Sequence, residues 1–365
     1  MTKTFKATFE YHPKKLIFKF DAGTSRGILK SKISYLIKAQ STDLGSGFGE
    51  AGPLPKLSLD DTPDFPRILE KYLAELEGKD IPMGEEELLS FVEKTISDDH
   101  PSIRFAVETA LLDLVNGGQK KIFSSQSLDS LPPVHINGLI WMGDKAFMLS
   151  QINKKIEEGY DCVKMKIGAI DFKAECELLA YIRKNFSSKE ISLRVDANGA
   201  FALEEARHKL DILSQYDIHS IEQPIRAGNP EAMAALCASS PIAIALDEEL
   251  IGVNGIAAQQ QLLQAIKPTY IILKPTLVGG IKKTMDWIRV AEDLGIAWWM
   301  TSALESNIGL NAIYQLTVKV RASLPQGLGT GQLYENNIDS PLTIHEGMIR
   351  YDRESAWGDM EKYWT

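Results

Sequence analysis

From about residue 134 onward, short apolar runs recur with a steady rhythm. They are Val134–Trp141, Cys162–Ile167, Ile191–Val195, Ser220–Ile221, Ile242–Leu246, Tyr270–Leu273, Ala297–Thr301 and Gln326–Leu328. Between them lie stretches of helical period, including Phe172–Phe186, Leu203–Gln215, Gly255–Ala265 and Ile281–Leu294. Strand and helix in alternation predict a parallel sheet, and eight repeats of the unit are what closes a barrel. Residues 1–120 are patterned differently. Lys15–Phe20 and Ser31–Lys38 alternate with period two, separated by the turn-rich Asp21–Gly27. Gly45–Pro53 reads as a glycine-rich loop, either a flexible hairpin or a lid over an active site. Asp64–Leu76 and Ile103–Leu114 carry helical periodicity, with Val107, Leu111 and Leu114 on one face. The expected fold is therefore α/β: an N-terminal α+β domain over 1–120 and a (β/α)₈, TIM-like barrel over 121–330. The final stretch, 331–365, loses the rhythm and is expected to return to the first domain.

Length agrees with this division, because a (β/α)₈ barrel takes ~250 residues and the chain has 365. The formal net charge is −9 and no dense Lys/Arg run occurs. That balance argues against a nucleic-acid partner and suits a soluble metabolic enzyme. No stretch approaches the ~20 apolar residues that span a bilayer, and Met1–Lys15 holds no signal-peptide core. Neither a membrane partner nor export is expected. The three cysteines, Cys162, Cys176 and Cys237, form no CxxC pair and read as reduced thiols of a cytoplasmic protein. The six histidines build no zinc pattern. An anionic substrate for so acidic a protein requires a local positive site.

Such a site is written into the strand ends. Catalytic groups of a barrel of this type lie where its strands terminate, and runs two to six each end in ionisable residues. Asp196, Glu222 and Asp247 close the third, fourth and fifth, at intervals of 26 and 25 residues. One βα unit has that length, so the three carboxylates sit side by side on the rim. Singly, each could be a helix cap or a solvated loop carboxylate. Three in step would repel one another without a cation, and hard oxygen ligands with room for substrate suit Mg²⁺. Lys164 and Lys166, two apart on strand two, share a face toward the interior, and Lys274 ends strand six across the barrel. A lone lysine at a strand end is usually a solvated or ion-paired side chain. Paired ammonium groups, however, lower one another's pKa and make one a usable base near neutrality. A proton beside a carboxylate is weakly acidic, and removing it calls for such a base, a metal and a further cation. The small-molecule partner expected is thus a carboxylate.

These residues resemble the enolase superfamily, in particular its muconate-lactonizing-enzyme-like subgroup. The carriers are Lys164-Met-Lys166, Asp196-Ala-Asn198, Glu222-Gln-Pro224, Asp247-Glu248 and Lys274-Pro275. The resemblance makes the N-terminal domain a capping domain whose loops close over the barrel, Gly47–Pro53 resembling one loop and Ala22–Ile28 the other. Within the subgroup, Thr301–Leu310, Gly327–Leu333 and Asn336-Asn337 look most like the o-succinylbenzoate synthase family of menaquinone biosynthesis. That likeness implies dehydration of 2-succinyl-6-hydroxy-2,4-cyclohexadiene-1-carboxylate. It implies Lys166 as base, Lys274 as stabilising cation, Lys164 as support, and Mg²⁺ (with Mn²⁺ able to substitute) on Asp196, Glu222 and Asp247. Asn198 and Glu248 are expected behind the metal ligands. Candidate substrate contacts are Ser302, Glu305, Ser306, Gly279 and Arg26, with Phe48 a further lid candidate. Trp298 and Trp299 read as core. A homo-oligomer is compatible with all of this.

The alternative within the superfamily is an N-acylamino acid racemase or dipeptide epimerase, which uses the strand-two and strand-six lysines as opposed bases. Dipeptide epimerases resemble one another in an Asp-x-Asp on strand eight, where this chain has Leu328-Gly-Thr-Gly-Gln. A muconate cycloisomerase is a third member reading. A Schiff-base aldolase would leave three carboxylates without a task, and a catalytically dead scaffold would have no reason to keep the full set.

Overall fold

The computed structural model describes residues 3–24 and 27–364. Arg26, a candidate substrate contact, therefore lies outside the described residues. Two long strands, β1 (Thr8–Thr24) and β2 (Gly27–Ser41), pair antiparallel with a register shift between Ile17 and Ala22, and they extend into Asp21–Gly27 from both sides. A third strand, β3 (Gly45–Ala51), pairs along β2. The glycine-rich segment is thus a buried strand, neither a flexible hairpin nor a lid. Its glycines admit a helix: a Cβ on Gly47 would lie 2.2 Å from the carbonyl oxygen of Ala110, and one on Gly49 would lie 2.0 Å from that of Ala106. Only residues without a side chain permit so close a strand–helix approach.

Three helices complete the cap: α1 (Phe65–Leu76), α2 (Glu85–Thr95) and α3 (Pro101–Val115). The sequence predicts one apolar face on α3, yet every residue from Pro101 to Leu114 is buried. The helix is packed between the cap sheet and the barrel, so its polar side chains bind across that junction.

The barrel follows. Its first seven strands are β4 (Gly138–Ile140), β5 (Cys162–Lys166), β6 (Ser192–Asp196), β7 (Ser220–Glu222), β8 (Ile244–Leu246), β9 (Tyr270–Leu273) and β10 (Ala297–Met300). Among the described residues they pair in chain order as one seven-stranded parallel sheet. The predicted eighth strand is reduced to a pair of parallel bridges, Ile136 with Gln326 and Thr301 with Gly327. Four hydrogen bonds make that closure, from Asn137 N to Gln326 O, Gln326 N to His135 O, Gly327 N to Met300 O and Ser302 N to Gly327 O. The first apolar run is split as well, because Val134–His135 leaves the barrel to pair with the C-terminal hairpin. Helices α4 (Lys145–Glu157), α5 (Phe172–Asn185), α6 (Leu203–Leu213), α7 (Pro230–Ser239) and α8 (Ile256–Ile266) cover the early strands. The short α9 (Pro275–Val278), then α10 (Gly280–Asp293) and α11 (Asn307–Lys319), follow β9 and β10. Trp298 and Trp299 are both buried; Trp299 stacks beneath Arg194, whose guanidinium carbon is 3.9 Å from the ring centre.

The stretch after residue 330 touches both parts. Asn336 brackets β1, accepting from Ile17 N and donating to Lys15 O, and Glu335 N donates to Ile17 O. Strands β11 (Leu342–His345) and β12 (Met348–Tyr351) then pair with Val134–His135. Met360 and Trp364 pack against Leu36 and Phe48 of the cap, and Lys38 pairs with Glu361. Phe48 lies in that cluster, so it is a packing residue of the cap–tail contact and not part of a lid. No helix among the described residues is long and apolar enough to cross a membrane.

A buried carboxyl group joins cap to barrel. Glu108 of α3 accepts a hydrogen bond from Ile281 N in the first turn of α10. Burial pushes its pKa up to about 8, against the pull of the backbone donors Ile281 and Lys282 and of Arg104. The folded state therefore prefers the protonated form. Its contribution is intact below the unfolded value of about 4.3 and is lost as pH rises toward the folded value of about 8. Glu108→Gln cannot ionise, so its melting temperature relative to wild type should climb by roughly 3–6 °C between pH 5 and pH 8. A difference that stays flat across that range, followed by differential scanning calorimetry, would remove Glu108 as the source of the pH dependence.

Candidate active site

A cavity of ≈770 Å³ opens at the C-terminal ends of the barrel strands. Barrel side chains Trp141, Lys164, Lys166, Asp196, Asn198 and Lys274 line one part of it. The cap lines another, with Gly27, Ile28 and Leu29 from the tip of the β1–β2 hairpin and Leu54, Pro55 and Lys56 from the segment after β3. Of the two expected cap loops, Ala22–Ile28 reaches the mouth through Gly27 and Ile28, whereas Gly47–Pro53 does not and the segment after it does.

Strand alternation places Lys164 and Lys166 on one face of β5, and the register Lys164↔Arg194 and Lys166↔Asp196 sets them beside β6. Lys164 Nζ lies 2.7 Å from Glu222 Oε2 and 3.2 Å from Asp196 Oδ2. Lys166 Nζ donates to Asn198 Oδ1 at 2.7 Å and lies 3.6 Å from Asp196 Oδ2. Across the barrel, Lys274 Nζ donates to Asp247 Oδ2. Trp141 sits over Lys166, with Nζ 5.8 Å from the ring centre. Sequence reasoning passed over Trp141, although it ends the first apolar run just as the catalytic candidates end theirs.

The expectation that Lys164 and Lys166 depress each other holds for one of them only. Lys166 is lowered, chiefly by burial and then by the neighbouring ammonium groups of Lys164 and Lys274, with Asp196 opposing. Lys164 is raised: burial works against its charge, but Glu222 and Asp196 on either side outweigh it. Lys274 is raised in the same way by Asp247 and Glu248. The site therefore holds two fixed cations and one lysine that gives up its proton more readily. Asp196 is held well below the carboxylate range, since Lys164, Lys166 and Lys274 overcome its burial. Glu222 is pushed up to about 7 by burial and by Asp196 and Asp247, with Lys164 pulling the other way.

The three carboxylates fit a hard dication. All are buried, they raise one another's energy, and Glu222 Oε1 is a buried oxygen with no hydrogen-bond partner. They are not drawn into a ready-made cage: among the described residues no three Asp, Glu, His or Cys side chains converge as one. The reason is local, because each carboxylate turns toward the nearest lysine. Backbone strain marks the same rim. Asn198 and Gln223 follow the strand-three and strand-four carboxylates with φ of 43° and 37°, a left-handed conformation that non-glycine residues hold only when their surroundings enforce it. Gln223 is the enforcing residue that the sequence did not flag. Its Oε1 accepts from Asp247 N and Glu249 N, and its Nε2 donates to Glu249 Oε2 and Ile225 O, tying strand end four to strand end five.

Asn198 and Glu248 lie beside both Asp196 and Lys166. Asn198 Nδ2 donates to Glu248 Oε1 while its Oδ1 accepts from Lys166, so the pair orients the lysine as well as flanking Asp196. Of the candidate substrate contacts, Ser302 lines the cavity. Glu305 and Ser306 do not. Both are fully buried beneath the wall, Glu305 accepting from Ser302 and Thr276, and Ser306 donating to Glu50. Gly279 is also away from the wall: its φ of 105° makes the turn between α9 and α10, where a Cβ would meet Lys283 and Arg104. Beyond Thr301, the strand-eight side of the cavity carries Gly327, Gly329 and Thr330, with no carboxylate among its lining residues.

Residues 148–357 match the family described as "Enolase C-terminal domain-like". An o-succinylbenzoate synthase of Desulfotalea psychrophila is 47% identical over 360 residues, covering 93% of this chain and 97% of that protein. The crystal structure of MenC from Desulfotalea psychrophila superposes with a TM-score of 0.83 at 41% identity, over 94% of this chain and 99% of that one. The L-Ala-D/L-Glu epimerase of Bacillus subtilis shares the fold, with a TM-score of 0.81 at 18% identity over 97% and 98% of the two chains.

Proposed function

The chain belongs to the enolase superfamily, and on that premise we propose that it is an o-succinylbenzoate synthase whose base is Lys166. The 47% identity to an o-succinylbenzoate synthase supports the synthase reading, and the arrangement of the three lysines supports the choice of base. Lys166 alone is lowered, and it faces the cavity between two lysines held charged by carboxylates. A group that must first take a proton and then return it needs that bias.

In this reading Asp196, Glu222 and Asp247 would hold Mg²⁺, which would supply Lewis-acid neutralisation of the charge developing on the ring carboxylate. Lys166 Nζ removes the proton on the ring carbon that bears this carboxylate, and the electron pair moves into the carboxylate as an enediolate. The Lys274 ammonium stands on the opposite side and stabilises that charge. Lys164 holds Asp196 and Glu222 in place. The pair then returns to the ring as the C6–O bond breaks. The proton on Lys166 passes to the departing hydroxide, so one water leaves and the ring becomes aromatic. Asn198 keeps Lys166 pointed into the cavity throughout. A cytoplasmic setting, and the division into a cap (1–120 with 331–365) and a barrel (121–330), are part of the same proposal.

The test is turnover. Purified protein with Mg²⁺ and the cyclohexadiene substrate should bleach the diene absorbance and yield o-succinylbenzoate. Absence of turnover by the folded protein would sink the synthase reading, and α-proton exchange of N-acylamino acids in deuterated water would then be the measurement to make. The lack of a carboxylate on the strand-eight wall speaks against a substrate with a free α-ammonium group.

A further inference from the structure

The cap strand β2 is polar on the wrong face. Lys32 and Ser34 are buried while Ile33, between them, is half exposed. A lysine 2% exposed loses hydration and side-chain freedom, and it is retained only where its donors are used. Lys32 Nζ donates to Leu304 O at 2.9 Å and approaches Ala303 O at 3.4 Å. Neither residue belongs to the cap: both lie after β10, and both line the cavity. Burial lowers the pKa of Lys32, while Glu305, Glu50 and Asp60 act through space in favour of its charge.

Leu304 has a reason to need holding. Its φ is 65°, a left-handed conformation that is unfavourable for a residue bearing a β-carbon. The same carbonyl accepts a second buried donor, Tyr334 Oη at 2.7 Å. One donor comes from the cap and one from the C-terminal stretch, and both end on a single strained peptide. The conformation turns the Leu304 side chain into an apolar cluster with Ala303, Leu54 and Trp141, three other residues of the cavity wall.

We propose that Lys32 is a positioning residue for substrate binding: from inside the cap it locks the Ala303–Leu304 turn, and so fixes the apolar wall against which the body of the substrate rests. The inference rests on the synthase reading only for the identity of that substrate. The Ala303–Leu304 turn itself carries none of the proton-transfer groups, so loosening it removes binding shared by ground and transition states. Such a loss appears in KM and leaves kcat in place.

Lys32→Met keeps the length and apolar stem of the side chain and deletes its donors. We expect a KM for the cyclohexadiene substrate about tenfold higher, kcat within a factor of two, and faster amide hydrogen exchange in residues 302–306 with no change in 162–168. Tyr334→Phe removes the second donor and should move the same two readouts in the same direction. It serves as the test if Lys32→Met does not fold. A folded variant with unchanged KM, or with unchanged exchange in 302–306, overturns the proposal, as does a fall in kcat equal to the rise in KM. Hydrogen exchange needs no turnover, so it reports on the lock even if the wild-type protein fails to dehydrate this substrate.

Discussion

Lys166→Ala should lower kcat for dehydration by about 10⁴-fold, the range expected when one group serves as both base and acid. The magnitude follows from the absence of a substitute. Lys164 is occupied by Glu222 and Asp196, and Lys274 by Asp247, so neither has a free lone pair to offer. The fold should tolerate the change, because Lys166 donates to Asn198 and lies 3.6 Å from Asp196 without anchoring a second element of the core. Circular dichroism should be unaltered while diene bleaching nearly stops. Lys166→Arg separates proton transfer from charge. A guanidinium keeps the positive charge but does not give up its proton, and it should be as inactive as alanine. Arginine restoring more than a tenth of the rate would assign Lys166 an electrostatic task and leave the base elsewhere.

Chelation should be nearly as damaging. Exhaustive treatment with EDTA is expected to depress turnover by at least about 10³-fold, because several kcal/mol of charge stabilisation would be lost. Added Mg²⁺ should restore it, and Mn²⁺ should do so in part. A calorimetric titration of Mg²⁺ into the chelated protein gives an independent reading of the site. Asp247→Asn should weaken that titration and raise the Mg²⁺ concentration needed for half-maximal rate. Full activity in excess chelator would detach Asp196, Glu222 and Asp247 from the chemistry altogether.

The sequence was most legible where a residue type and a strand end coincide. Lys166, Asp196, Glu222, Asp247 and Lys274 each stand at the end of an apolar run, with Lys164 two residues before Lys166 on the same face, and the register of the parallel sheet sets neighbouring strand ends side by side. Asn198 and Glu248 were legible as neighbours, though their bond to Lys166 depends on a left-handed turn that no local pattern announces. Three features were not legible for distinct physical reasons. Gly45–Ala51 has the composition of a loop, and only the helix lying across it explains why a strand there must lack side chains. The eighth strand is reduced to two bridges, and a three-residue apolar run such as Gln326–Leu328 reads the same whether it forms bridges or a full strand. Lys32 alternates as a surface residue does, and its burial becomes evident only when the barrel loop beneath it is in view.

The contacts between the cap sheet β1–β3 and residues 334–364 carry a consequence for biosynthesis. Leu36 and Phe48 are made early, whereas Ile338, Met360 and Trp364, which cover them, emerge about three hundred residues later. On the ribosome the emerging N-terminal sheet therefore presents an uncovered apolar surface for most of translation. Closing contacts so distant in sequence is slow, and a nascent chain in that state is open to aggregation. Tyr334, one of the two clasps on Leu304, arrives in the same late segment. The cavity wall thus sets only near the end of synthesis, and a chain stalled before that point leaves the ribosome with its barrel lysines in place but no finished pocket.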